Sequence, residues 1–296
     1  MVALSYYRGY PKAMSRAIVS TIVLVLLIVG IAFLTSFPKL TYTSARPLEI
    51  PSIGGEFFYV DAGDIAHYGS SRVLVLRLNE PIELIPYHFK DAGMEEPIDA
   101  KKWSKSLQAP VVFNAGQFDE NMEHLGWLKS EGRWLFRKRK KKWLGLLATG
   151  PQENQVWGRI IDMQNNPTDY SSKYRNLVQS MMLLDEHKEV RVRESDIKAC
   201  RAVVAEDTAG RLLLLFTEGA VTLGDLARYL AKSELNLLRA MNLDGGGEAQ
   251  VVINTPELKY NHFGQFGRGS PLTGAAGLFR TALPTVIALR TKQTGD

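Results

Sequence analysis

The sequence predicts an α+β domain, a twisted, mixed, largely antiparallel β-sheet with flanking helices, preceded by one N-terminal transmembrane helix. Three observations predict it. Residues 17–36 run uncharged and apolar. From Glu56 onward, short β-branched and aromatic runs alternate with hairpin signals. One clear amphipathic helix follows two strand-like runs, which is the order of an α+β fold and not of a doubly wound parallel sheet.

The apolar run comes first. Twenty helical residues span roughly 30 Å, the thickness of a bilayer's hydrocarbon core. A cleavable signal has an apolar stretch of about 7–15 residues, so an uncleaved signal anchor is expected, with Thr43-Ser44-Ala45 as the alternative cleavage site. Arg8, Lys12 and Arg16 precede the run and no acidic residue occurs before Glu49. The positive-inside rule then leaves residues 1–16 in the cytoplasm and sends the rest to the periplasmic or extracellular side. Residues 37–55, with Pro38, Pro47, Pro51 and Gly54-Gly55, read as a linker, and residues 56–296 as the folded domain.

Within that domain, strands are expected at Phe57–Val60, Val73–Leu78, Glu83–Tyr87 and Val111–Phe113. A hairpin is expected over Trp127–Leu135, and a surface loop over 150–176, which is polar and carries Asn165-Asn166-Pro167. Arg201–Ala205 and Arg211–Thr217 read as a strand pair across the turn Glu206–Gly210. The run Leu212–Phe216 is apolar at every position, as in a strand buried on both faces. A helix starts at Thr222, with Asp225 at the capping-box spacing. Leu223, Leu226, Ala227 and Leu230 form its apolar face. Leu237–Leu243, Val251–Ile253 and Thr285–Leu289 complete the strands.

Composition excludes several functions. The net charge of +5 is mild, and six cations sit in one run, Arg137–Lys142. No nucleic-acid-binding module accompanies them. One cysteine, Cys200, allows neither an intramolecular disulfide nor a cysteine-rich zinc site. The five histidines lack metal-ligand spacing. There is no Gly-x-Ser-x-Gly elbow, and no Lys-Ser/Thr pair follows the glycines as in a P-loop. His262 lies in a Gly- and aromatic-rich stretch that lines either a pocket or a surface loop.

One local pattern points to chemistry. Asn242-Leu243-Asp244-Gly245-Gly246-Gly247-Glu248 ends a buried strand in three glycines flanked by carboxylates. Such a loop brings exposed backbone amides to an anion and places acids beside it.

These residues also carry a resemblance. Asn242–Gly247 resembles the Asn-Leu-Asp-Gly-Gly-Gly signature of the phosphodiester glycosidase family, which includes bacterial exopolysaccharide-associated members. Asn114-Ala115-Gly116-Gln117-Phe118, Arg201–Ala205, the strand ending at Glu218-Gly219 and Pro284–Ile287 are similar to further family segments, in the same order. The resemblance implies hydrolysis of a sugar-1-phosphodiester to free sugar and phosphomonoester, on a cell-envelope or exopolysaccharide glycan. Under it, Asp244, Glu218 and Glu248 are candidate catalytic carboxylates. Arg201 is the candidate phosphate ligand, its planar fork suiting phosphate oxygens. Asn114 binds sugar hydroxyls or orients the loop. Asn242, Gly245, Gly246 and Gly247 complete the substrate-binding set.

No cofactor is expected, while a divalent metal is compatible with the carboxylates. Partners implied are the glycan-phosphate, the membrane through 17–36, and anionic lipid or polysaccharide through 137–142. The family has Ser or Thr where Glu248 stands, Thr where Ala202 stands, Gly where Ala205 stands, and an aromatic or apolar residue where Gln117 stands. The departure at Glu248 motivates the alternative, a non-catalytic glycan-binding or polysaccharide-assembly protein that keeps the fold.

Overall fold

The computed structural model describes residues 46–80, 82–152, 156–164, 170–267 and 280–290. The expected transmembrane helix, 17–36, lies outside them. Among the described residues no helix is long and apolar enough to cross a membrane.

The strands in chain order are β1 (Leu48–Ile50), β2 (Gly55–Asp61), β3 (Arg72–Leu78), β4 (Glu83–His88), β5 (Val111–Asn114), β6 (Leu128–Ser130), β7 (Arg133–Phe136) and β8 (Gly145–Pro151). They continue with β9 (Gly158–Asp162), β10 (Tyr174–Leu184), β11 (Ala202–Asp207), β12 (Leu212–Thr217), β13 (Leu237–Asn242), β14 (Gln250–Asn254), β15 (Lys259–Phe263) and β16 (Thr285–Arg290). Two α-helices are described, α1 (Ala100–Leu107) and α2 (Leu223–Lys232).

The strands form two sheets, not one. The larger runs β1-β2-β3-β12-β11-β13-β10-β6-β7, with β8 pairing β10 and β9. The smaller runs β15-β14-β5-β16-β4. The expected mixed sheet is corrected here, because every described strand pair is antiparallel. β1 falls inside the stretch 37–55 read as linker and pairs with β2.

Side-chain alternation sets the layers. Leu212, Leu214 and Phe216 of β12 point between the sheets, against Phe113 of β5, Val251 of β14 and Ile287 of β16. Leu213 and Leu215 point the other way, against Leu226, Ala227 and Leu230 of α2. The double-sided burial expected for Leu212–Phe216 is therefore observed. α1 covers the outer face of the smaller sheet, where Ala100 and Trp103 pack on Val112, Val252, Val286 and Ala288. The result is a four-layer helix–sheet–sheet–helix arrangement.

Both helices start where their caps dictate. Thr222 Oγ1 accepts from the Asp225 amide at 3.1 Å, and the Asp99 carboxylate accepts from Lys101 and Lys102 amides at 2.9 and 3.1 Å. Trp103 is fully buried and its indole N–H donates to the Leu283 carbonyl at 2.9 Å. Trp103→Ala is expected to cost about 3–5 kcal/mol, read as a lowered urea midpoint.

The stretch 150–176, expected as a surface loop, contains β9. Ile160 and Ile161 are buried. Asp162 is buried too, paired with Arg191 at 2.7 Å, and the buried Glu206 carboxylate accepts the Ile160 amide at 2.9 Å. The turn signal Asn165-Asn166-Pro167 lies outside the described residues, while Asp162 is taken inside because it has a charged partner.

Candidate active site

The glycine loop is the crossing from the larger sheet to the smaller one. β13 ends at Asn242, and β14 begins at Gln250. The loop meets the end of β5, which carries Asn114, and the segment Cys200-Arg201 just before β11. Four elements from two sheets thus converge on Asp244.

Glycine is required by the backbone here. Gly246 adopts φ +74°, a left-handed conformation that side chains disfavour. A Cβ on Gly245 would stand 2.8 Å from the Cys200 carbonyl oxygen and 3.3 Å from Arg201 Nη1. The loop therefore lies directly against the arginine.

The glycine amides are not the open cradle expected from the sequence. Gly245 N–H donates to Asp244 Oδ1 at 2.9 Å, and Gly246 N–H to the Cys200 carbonyl at 2.8 Å. Buried backbone donors must find partners, so two of the three are already taken, one by Asp244 and one by the Cys200 carbonyl.

Asn114 clamps the loop. It is 1 % exposed. Its Nδ2 donates to the carbonyls of Asp244 at 2.9 Å and Ala115 at 3.2 Å, and its Oδ1 accepts the Gln250 amide at 3.3 Å. The three hydrogen bonds it makes all go to backbone groups, so the side chain holds the loop in place. Asn114→Ala should cost about 2–3 kcal/mol by stranding these groups. Its urea midpoint should fall and turnover should drop as the loop is released.

Gln250 is a second clamp. Fully buried, it donates to the carbonyls of Gly247 at 2.9 Å and Thr281 at 2.8 Å. It also accepts the first amide of α1, Ala100, at 3.0 Å. Nothing in the apolar run Gln250–Ile253 signals this role. Gln117, a departure from the family pattern, donates to the Leu243 carbonyl at 3.2 Å. Asn242 is buried and its Nδ2 turns back on the Leu243 carbonyl. Cys200 is a buried core residue whose thiol pKa is raised by burial.

The charges are unusual for their setting. Burial, then the neighbouring Glu248, pushes Asp244 from 3.8 up to about 7, against the opposing pull of the Gly245 amide and Arg201. Burial also raises Glu248. Its carboxylate folds back over the loop, with Oε2 3.3 Å from where a Gly246 Cβ would stand. Arg201 is 7 % exposed. Its Nε donates to the Val221 carbonyl at 3.1 Å and its Nη2 to the Ile197 carbonyl. Burial lowers its pKa to about 10, with Cys200 and then Asp244 favouring the charged form. Among the described residues no carboxylate forms an ion pair with it. A carboxyl that titrates near neutrality, with a second buried carboxyl and a guanidinium beside it, can donate and accept protons beside a developing anion.

Glu218 stands apart from this group. Its Oε2 accepts from Arg72 Nε at 2.7 Å, and it faces a cavity with Arg72, His262 and Arg280. The segment Gly264–Gly267 runs between cavity and loop: Cys200 N–H donates to the Phe266 carbonyl at 2.9 Å. A Cβ on Gly264 would stand 1.8 Å from the Gly246 carbonyl oxygen. Arg72 and Arg280 carried no sequence signal, since each sits in ordinary strand or loop context. Among the described residues no group of three or more His, Cys, Asp or Glu side chains is placed to hold a metal ion.

Comparison with known proteins agrees with this geometry. A family model described as phosphodiester glycosidase matches residues 108–290, which include Asn114, Arg201, Glu218 and the whole glycine loop. No curated protein matches the sequence.

Among solved structures, the chain is similar to the zebrafish N-acetylglucosamine-1-phosphodiester alpha-N-acetylglucosaminidase catalytic domain, auto-inhibited by its pro-peptide. The TM-score is 0.54 at 16 % identity, covering 87 % of this chain and 85 % of that one. A Synechocystis protein follows with TM-score 0.50 and 15 % identity, covering 82 % of this chain and 61 % of that one. A Burkholderia pseudomallei protein has TM-score 0.50 and 9 % identity, covering 80 % of this chain and 74 % of that one. At these identities the likeness is one of fold. Joined to the family match over the signature loop, it means that the chain belongs to the phosphodiester glycosidase family, hydrolases that act on sugar phosphodiesters.

Proposed function

We propose that the domain hydrolyses a sugar-1-phosphodiester on a cell-envelope or exopolysaccharide glycan, outside the cytoplasm, while tethered by a helix over residues 17–36. The bond between the anomeric carbon and the phosphate oxygen breaks, and its electron pair leaves on that oxygen. Water adds hydroxide to the anomeric carbon and its proton passes to a carboxylate. The phosphate is a good leaving group, so a buried carboxyl that titrates near neutrality, with a second carboxyl beside it, suffices as acid and base. Asp244, with Glu248 beside it, is that pair, and Arg201 supplies positive charge next to it. The coupling of Asp244 to Glu248 carries this reading, because it places a titrating proton in the signature loop.

The segment 137–142 is proposed to touch an anionic lipid or polysaccharide. Two features support this. Arg137 and Arg139 lie over the rings of Trp134 and Trp127 at 5.4 and 5.9 Å. The buried Gln179 side chain donates to the Lys140 and Trp143 carbonyls at 2.9 and 2.6 Å. The cations are thus held on a fixed base.

The full-length chain, incubated with a synthetic sugar-1-phosphodiester, should release free sugar and a phosphomonoester in equal amounts. Release of neither product across a panel of such diesters would refute the enzymatic reading.

A further inference from the structure

The cationic run carries no counter-charge of its own. Between Gly132 and Gln152 the chain has no Asp or Glu. Among the described residues no carboxylate pairs with Arg137, Lys138, Arg139, Lys140, Lys141 or Lys142. We propose that this run, with the aromatic rings packed beside it, is the face by which the domain docks on an anionic lipid bilayer, the lipid phosphates supplying the opposite charge. The choice of a bilayer rests on the tether proposed over residues 17–36.

Like charges in succession repel, and an unconstrained run relaxes by spreading into water. This one is pinned. Gln179 is fully buried, and its Oε1 accepts the Lys140 amide at 3.1 Å and the Trp127 amide at 3.0 Å. Its Nε2 donates to the carbonyls of Lys140 and Trp143. One buried side chain thus fixes the centre of the run against the residue that opens β6. Arg137, Lys138, Arg139, Lys141 and Lys142 stay exposed, so their charge is concentrated on one held turn that can be answered only from outside the domain.

Three rings supply the second observation. Trp127, Trp134 and Tyr170 come from separate segments and pack, partly buried, on the cluster that contains Leu146, Ala148 and Ile161. Trp127 and Trp134 meet edge to face at 5.5 Å. Each of the three rings carries a cation: Arg139 over Trp127 at 5.9 Å, Arg137 over Trp134 at 5.4 Å and Lys173 over Tyr170 at 5.6 Å. Trp and Tyr, apolar at one end and polar at the other, set among Lys and Arg, are the composition that settles at a membrane–water interface. The cations add their separate attractions to a surface of acidic lipid. Residues 37–47 join the apolar run to β1. Such a stretch reaches at most about 40 Å fully extended, so a tethered domain meets the bilayer at high effective concentration. A soluble polyanion has no such advantage, and this favours the bilayer as partner.

The test places the full-length chain in vesicles of phosphatidylcholine, with and without phosphatidylglycerol, and reads quenching of tryptophan fluorescence by brominated lipid. Quenching should be about twofold stronger with phosphatidylglycerol and should fall back in high salt. The triple variant Lys138→Gln, Lys141→Gln, Lys142→Gln should abolish the difference. Its melting temperature should stay within about 2 °C of wild type, because all three side chains are exposed. Equal quenching in neutral and anionic vesicles overturns the docking face, and so does a difference that survives the triple variant. Polygalacturonate binding in neutral vesicles, lost in the triple variant and without lipid-dependent quenching, would assign the run to a glycan and overturn the bilayer. Flotation reads the tether separately. A chain that floats with neutral vesicles and shows no phosphatidylglycerol-dependent quenching keeps the tether and loses this face. One that floats only with anionic vesicles, and no longer does so as the triple variant, loses the tether and keeps the face.

Discussion

Asp244→Asn should lose hydrolysis of a sugar-1-phosphodiester by about 10²–10⁴-fold in kcat/KM, the usual loss when a positioned acid or base is removed. The substitution is nearly isosteric. The amide oxygen can still accept the Gly245 N–H that Asp244 Oδ1 accepts at 2.9 Å, and the Asn114 clamp acts on the backbone carbonyl, not the side chain. The fold should therefore persist while the titrating proton is gone. Steady-state kinetics on wild type and variant, with melting curves alongside, check this. A variant that keeps more than a tenth of wild-type kcat/KM would remove Asp244 from the chemistry.

The same variant should be more stable than wild type in mildly alkaline buffer. Asp244 has a folded pKa of about 7 against 3.8 for the ordinary carboxyl. Between those values the folded chain holds a proton that the unfolded chain has released. Stability therefore falls as pH rises through this window and levels off above about 7. Asparagine is neutral at every pH and escapes the loss. At about 1.4 kcal/mol per pH unit the ceiling is on the order of 4 kcal/mol, reduced by coupling to Glu248 and by partial solvent access. At pH 8, Asp244→Asn should melt at least about 4 °C above wild type. The gap should narrow at pH 5 and close near pH 4. A gap independent of pH would mean that the Asp244 proton is not the cause. Activity and stability would then move in opposite directions at one residue, as expected where a site holds groups that oppose folding.

Most of the element list was legible in the sequence, because it rests on local periodicity. The Thr222 cap and the Leu226, Ala227 and Leu230 face predict α2 correctly. The unbroken Leu212–Phe216 run signals a strand buried on both faces, and both faces are filled. Helix α1, locally capped by Asp99, was missed, while the expectations that failed depend on distant partners. β9 reads as polar loop because its carboxylate at Asp162 finds Arg191 only in three dimensions. The division into two sheets is equally invisible, since it is set by which strands pair across the β13–β14 crossing.

The site was legible in outline. Asn114, Arg201, Asp244 and Glu248 are brought together around one loop, while Glu218 turns toward the cavity. The glycine amides were misjudged: a sequence shows that a loop can offer N–H groups, not that Cys200 and Asp244 already take them. Gln250 and Arg280 went unseen, the first inside an apolar strand and the second in a segment with no motif. Glu248, which first raised doubt about activity, acquires a physical role. Its charge beside Asp244 helps lift that carboxyl into the neutral range.

The central claim is that water attacks the sugar carbon and not the phosphorus. Hydrolysis in ¹⁸O-enriched water, followed by ³¹P NMR of the phosphomonoester, tests it most directly. Cleavage of the carbon–oxygen bond leaves the phosphate unlabelled, and a single unshifted phosphorus resonance is predicted. An isotope-shifted resonance would place attack at phosphorus and make the chain a phosphodiesterase, contradicting the glycosidase account.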